Sequence, residues 1–83
     1  MKPDHDKIDD AVLALLHLGS SQSNMEEQYG TATAWKSHDW DALSRLHEKG
    51  LISDPVNKNK SIALTEEGLR RSRELFEQLF CKS

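Results

Sequence analysis

The side chains of this chain that could do chemistry are four histidines, a single cysteine and a surplus of carboxylates. His38 precedes Asp39, which can be read as an imidazole oriented by a carboxylate for acid–base work. Adjacent residues of these types at a helix start more often serve capping, so the pair alone does not define a catalytic site. His5, His17, His38, His47 and Cys81 include no i, i+4 pair and no C-x-x-C spacing. Ligands are therefore not placed together on one helix face or one knuckle, and no metal or other cofactor is expected. A hydrolase or transferase would need a nucleophile with its base, or paired carboxylates in a cleft, and so short a chain offers little concavity. No enzyme activity is expected. Cys81, close to the end, reads as an inert tail thiol that could form an adventitious intermolecular disulfide if exposed.

The remaining candidates are binding groups. Lys58 and Lys60 alternate with Asn57 and Asn59 in a turn-forming stretch, a composition suited to phosphate or minor-groove contact. The commoner role of such lysines is to keep a hairpin edge soluble. Lys36 and Lys49 add scattered positive charge. Trp35 and Trp40 lie near one turn, where two indoles either pack the junction between short helices, the commoner role, or present an aromatic anchor to a partner.

These residues depend on a small set of elements. After a frayed start over residues 1–5, Asp6 is placed to cap a first helix with Asp9 and Asp10 in its first turn, and Gly19 ends it. Ile8, Ala11, Val12, Leu15 and Leu16 follow the spacing of one buried face. Leu13 falls outside that stripe and is free for a second surface or partner chain. Residues 20–30 show no periodicity and read as a loop with Met25 and Tyr29 as possible pegs. Residues 31–36 could form a short helix with Ala32 and Trp35 on one side. Asp39 then caps a stronger helix that lines up Trp40, Leu43, Leu46 and His47 on its inner face before Gly50 supplies a left-handed terminus. Residues 51–53 and 61–64 read as two strands of a hairpin around the turn formers of 54–60. Thr65 caps the last helix, with Leu64 and Leu69 spaced as a hydrophobic staple. That helix carries an apolar stripe of Leu69, Leu75, Phe76, Leu79 and Phe80. Opposite it, Glu66, Glu67, Arg70, Arg71, Arg73, Glu74 and Glu77 form i, i+4 pairs worth roughly 0.2–0.5 kcal/mol each.

At 83 residues, 1–83 is the size of one domain, with room for a single core. Hydrophobic content of 36% in periodic blocks, with a net charge of only −3, favours a folded domain over disorder. One cysteine permits no intrachain disulfide, no stretch resembles a signal peptide, and the apolar run 11–18 is too short to span a bilayer. A cytoplasmic protein without a membrane partner is expected. The acidic balance weighs against a dedicated nucleic-acid binder, although only local charge decides that.

Helix, short helix, helix, two-stranded hairpin and helix is the order of a winged helix-turn-helix. The run Leu43-Ser44-Arg45-Leu46-His47-Glu48-Lys49-Gly50-Leu51-Ile52 is similar to the end of a recognition helix entering the first wing strand in bacterial winged-helix regulators. Leu64-Thr65-Glu66-Glu67-Gly68-Leu69 resembles the second wing strand turning into the closing helix of the same proteins. With Asp39-Trp40-Asp41, these stretches also look like a family of small stand-alone bacterial proteins of uncharacterised function. The resemblance covers residues 39–80 and implies an α+β, winged-helix-like domain with three N-terminal helices, the second one short, a two-stranded wing and a C-terminal helix. Two functional expectations stand beside each other. One is a regulator-like module binding double-stranded DNA through Ser44 and Arg45 of the helix at 39–49 and through Lys58 and Lys60. Against it, that helix also turns Asp41 and Glu48 outward, and Asp41 is spaced to pair with Arg45. The other is a protein-interaction or self-association module, a homodimer included, that meets its partner through Leu13, Leu75, Phe76, Leu79 and Phe80.

Overall fold

The computed structural model describes residues 2–82. Residue 1, in the expected frayed start, lies outside them. The elements run α1 His5–Leu18, β1 Ser20–Ser21, α2 Asn24–Tyr29, β2 Ala32–Trp35, α3 Trp40–Glu48, β3 Ser61–Leu64 and α4 Glu66–Phe80. The strands form one antiparallel sheet in the order β1-β2-β3. The protein is thus an α+β fold of four helices and a three-stranded sheet.

Two expectations are corrected between α1 and α3. The stretch read as a loop holds β1 and a six-residue helix, α2. Ser23 accepts from the Glu26 N–H while the Glu26 carboxylate accepts from the Ser23 N–H, a reciprocal cap that starts α2, and Gly30 ends it at φ 73°. The stretch read as a short helix, 31–36, is instead the strand β2, paired with β3 in the register Ala32↔Leu64 to Trp35↔Ser61. Alternating Thr and Ala closed by Trp suits a pleated surface with one buried face. A strand consequently stands between α2 and α3, where a helix-turn-helix has only a tight turn.

The expected hairpin is also altered. β3 forms as expected, but its partner at 51–53 is reduced to a bridge between Ile52 and Leu64, with Ser53 N–H donating to Ala63 C=O at 2.9 Å. Pro55 follows closely and has no N–H to continue a ladder. The loop 54–60 is closed by side chains: Asp54 Oδ1 accepts from Val56 N–H, and Asn57 Oδ1 from Asn59 N–H.

The core joins Val12, Leu13, Ala14 and Leu16 of α1 to Ala32 and Ala34 of β2, Leu43 and Leu46 of α3, Ile62 and Leu64 of β3, and Leu69 and Leu75 of α4. Asp4 rather than Asp6 caps α1, accepting from Lys7 N–H at 3.1 Å. The inner face of α1 is rotated from the expected one. Leu13 is core, whereas Ile8 and Leu15 are exposed. Likewise Leu43 and Leu46 of α3 are buried, but Trp40 is not.

The start of α4 is pressed onto the segment that follows α3. Thr65 caps α4 by accepting from Gly68 N–H at 3.0 Å, and its N–H donates to Leu51 C=O at 3.0 Å. A Cβ on Gly68 would fall on that Leu51 carbonyl. Gly68→Ala should therefore force the two segments apart and cost about 1–3 kcal/mol or more, as overpacking does. Urea denaturation checks this, and a midpoint equal to the parent's would show that the approach is not tight.

Candidate functional site

The strongest electrostatic feature joins α1 to α3. Asp9 is fully buried on α1, and Arg45 of α3 reaches it with Nε 2.9 Å from both carboxylate oxygens and Nη2 2.8 Å from Oδ1. Lys49 Nζ donates to Oδ2 at 3.0 Å and lies 3.7 Å from the exposed Asp6. Burial alone would push the Asp9 carboxyl up. Hydrogen bonds from Arg45 and Lys49, with their positive charges, outweigh that and hold it below its ordinary value of 3.8. Arg45, expected to face DNA or to pair with Asp41, is thus committed inward. Ser44 is exposed on α3, flanked by the exposed Asp41 and Glu48. The helix surface available to a duplex is acidic.

The histidines are not assembled into a site. Asp39 caps α3 by accepting from Ala42 N–H at 3.1 Å, the role expected of it beside His38. His47 does not complete the inner face; it is exposed, with Nδ1 3.1 Å from Ile52 C=O. His17 packs against Phe76 with ring centroids 5.4 Å apart. Among the described residues no group of three or more His, Cys, Asp or Glu is arranged to hold a metal, and no helix is long and apolar enough to cross a membrane. Cys81 is exposed. A broad groove of about 980 Å³ between α4 and the end of α2 is lined by Glu27, Glu66, Glu67, Glu74 and Glu77 with Arg70 and Arg73. Its titratable lining is thus carboxylates and guanidinium groups, with no hydroxyl, thiol or imidazole among them.

Lys58 and Lys60 are exposed in the loop 54–60. Lys36 organises that loop: its Nζ donates to Pro55 C=O at 2.7 Å, to Asn57 C=O at 3.1 Å and to Asn57 Oδ1 at 3.0 Å, and lies 5.8 Å from the Trp40 ring centroid. Trp35 and Trp40 are 61% and 55% exposed, so neither packs a helix junction.

The expected partner surface divides. Leu13 and Leu75 are core residues and unavailable to a partner, Phe76 is half-buried, and Leu79 and Phe80 are exposed. The surface missed from sequence is the outer side of α1, where Ile8, Ala11, Leu15 and Leu18 recur at helical spacing. Ile8 is 37%, Leu15 40% and Leu18 66% exposed. The signal was present, since an apolar residue at every position from 11 to 16 cannot turn to one side only.

Architecture and surface together define a small α+β domain with a charge-clamped helix pair and several uncovered apolar side chains. The chain belongs to the family described as "Domain of unknown function (DUF6429)", which matches residues 4–82. It is similar to the uncharacterized protein y4hR of Sinorhizobium fredii (strain NBRC 101917 / NGR234), 56% identical over 82 residues that cover 99% of this chain and 100% of that protein. The family is thus one of small bacterial proteins. No solved structure matches the chain.

Asp9 has a lowered value in the fold, so its contribution to stability is full above 3.8, the ordinary value, and is lost as pH falls through the depressed one. Asp9→Asn should lower the urea midpoint at neutral pH and flatten its fall under acid. Equal acid limbs for parent and Asp9→Asn would mean that the clamp contributes nothing.

Proposed function

We propose that this chain is a non-enzymatic interaction module that associates with a second copy of itself through the outer face of α1. One observation carries this reading: Ile8, Leu15 and Leu18 are exposed, with the half-buried Ala11 between them, as an apolar stripe on a helix whose other side is already core. The spacing is self-complementary. A two-fold axis crossing the helix beside Ala11 sets Ile8 of one copy against Leu15 of the other, and Leu15 against Ile8, as an isologous interface requires. Ala11, the smallest member, lets the two backbones approach. Leu79 and Phe80 add apolar surface at the end of α4, where the Phe80 ring lies 6.0 Å from that of Phe76, the ring that touches His17 of α1.

Light scattering across a concentration series tests it. The parent should be a dimer, and Leu15→Asp should be a folded monomer, because a carboxylate set against Ile8 of the other copy is desolvated with no charge to answer it. Phe80→Asp should weaken the dimer only in so far as the end of α4 takes part. A parent that stays monomeric throughout rules the reading out.

A second reading, a winged-helix-like module binding double-stranded DNA, is favoured by the exposure of Lys58 and Lys60 ahead of β3 and by the resemblance of residues 43–52 and 64–69 to winged-helix regulators. It draws on loop lysines rather than on α3, since Arg45 is held by Asp9. Under it, affinity for duplex DNA falls steeply with salt, and Lys58→Ala and Lys60→Ala each reduce the salt slope by about one. Absence of micromolar binding at low salt would eliminate it.

A further inference from the structure

The sheet has one face in the core and one turned away from it. Ala32 and Ala34 of β2 are buried, so strand alternation puts Thr33 and Trp35 on the other side. The register sets Ser21 and Ala63 beside Thr33, and Ser61 beside Trp35. Trp35 is exposed and borders a hollow of about 260 Å³ that is also lined by Gly19, Ser21, Thr33, Ala34 and Ser61. Such small neighbours leave the indole open to a ligand, and its ring faces carry the negative end of the aromatic quadrupole.

The charge on this side of the sheet is negative as well. Thr33 Oγ1 donates to Glu26 Oε2 at 2.7 Å, so a carboxylate stands against one of the residues that line the hollow. That bond, with the one from the Ser23 N–H, holds Glu26 below the ordinary carboxylate value and keeps it ionised. Each Glu26 oxygen accepts one of these bonds and retains a lone pair for another donor. No cation answers it from the sheet. Lys36 and Lys60, next along β2 and β3, alternate to the opposite side, and the Lys36 ammonium is taken up by Pro55 and Asn57.

An indole face and a carboxylate both favour a cation, and the hydroxyl oxygens of Ser21, Thr33 and Ser61 accept from N–H donors. A guanidinium suits all three: it is always charged, it lies flat on an aromatic ring, and it has five N–H donors and no acceptor. A lysine ammonium is a compact point charge that does not stack, and a quaternary ammonium is held by a cage of rings where this face has one. We propose that the outer face of the sheet receives an arginine side chain of a partner protein, its guanidinium laid on Trp35 and its N–H groups directed to the Thr33 side of the hollow and the Glu26 carboxylate. The contact uses no residue of the α1 stripe, so it stands apart from self-association.

The test is an NMR titration of the isotope-labelled parent with a blocked peptide holding one arginine between glycines, beside its lysine and citrulline counterparts. Loss of a signal in Trp35→Phe identifies the Trp35 indole N–H. The arginine peptide should shift that signal and the Thr33 amide saturably. The lysine peptide should bind more weakly, and the citrulline peptide, alike in shape but uncharged, about tenfold or more weakly. Read from the Thr33 amide, Trp35→Ala should weaken the arginine peptide about two- to fivefold, as for an exposed cation–π contact. Glu26→Gln should weaken it by a similar factor while α2 persists, because glutamine also closes a capping box. Absence of a saturable shift in the parent overturns the proposal, as does a lysine or citrulline peptide that binds as tightly as the arginine one. Unchanged affinity in both Trp35→Ala and Glu26→Gln, with parent-like circular dichroism, overturns it too.

Discussion

A carboxylate in an interior is tolerable only when its charge is answered, and in this protein the answer comes from another helix. Asp9 is closed off from solvent, and Arg45 and Lys49 supply the donors it would otherwise take from water. Apolar packing between α1 and α3 accepts small rotations. A guanidinium bonded through Nε and Nη2 to one carboxylate does not, because its planar geometry fixes both helices along and around their axes. The rest follows from that alignment: with Asp9 turned toward α3, Val12, Leu13 and Leu16 enter the core, and Ile8, Ala11 and Leu15 are carried to the outside.

The same clamp separates what sequence reading could reach from what it could not. Local signals were readable where one segment decides its own state. Asp39 and Thr65 cap their helices, Gly50 adopts φ 77° after α3, and β3 runs Ser61–Leu64. Two signals were on the page but outweighed: Ser23 and Glu26 have the spacing of a capping box, and Thr31 to Trp35 alternates like a strand. What sequence could not supply was tertiary choice. Arg45 had Asp41 four residues before it, and only the fold brings Asp9, 36 positions away, closer. Helical spacing admitted two apolar faces on α1, and the buried ion pair selects between them. The exposure of Trp35 and Trp40 was out of reach for the same reason, since indoles are buried more often than not.

The binding groups illustrate a division of labour among like residues. Of the cations in and around α3 and the loop, Arg45 and Lys49 neutralise Asp9, and Lys36 gathers the oxygens of Pro55 and Asn57. Lys58 and Lys60 are left to solvent. Net charge describes such a surface poorly, because a count of lysines and arginines does not distinguish those consumed in holding the fold from those free to meet an anion.

The narrowness of the sheet has a bearing on how copies of this chain can meet. β1 has two residues, both serine, and on the far side of β3 the pairing stops at Ile52, with Pro55 soon after. Neither flank offers a run of free amides and carbonyls onto which another molecule's strand could zip. Growth by strand addition finds little purchase at either margin, and contact between molecules is left to side chains on helices and on the sheet's open face.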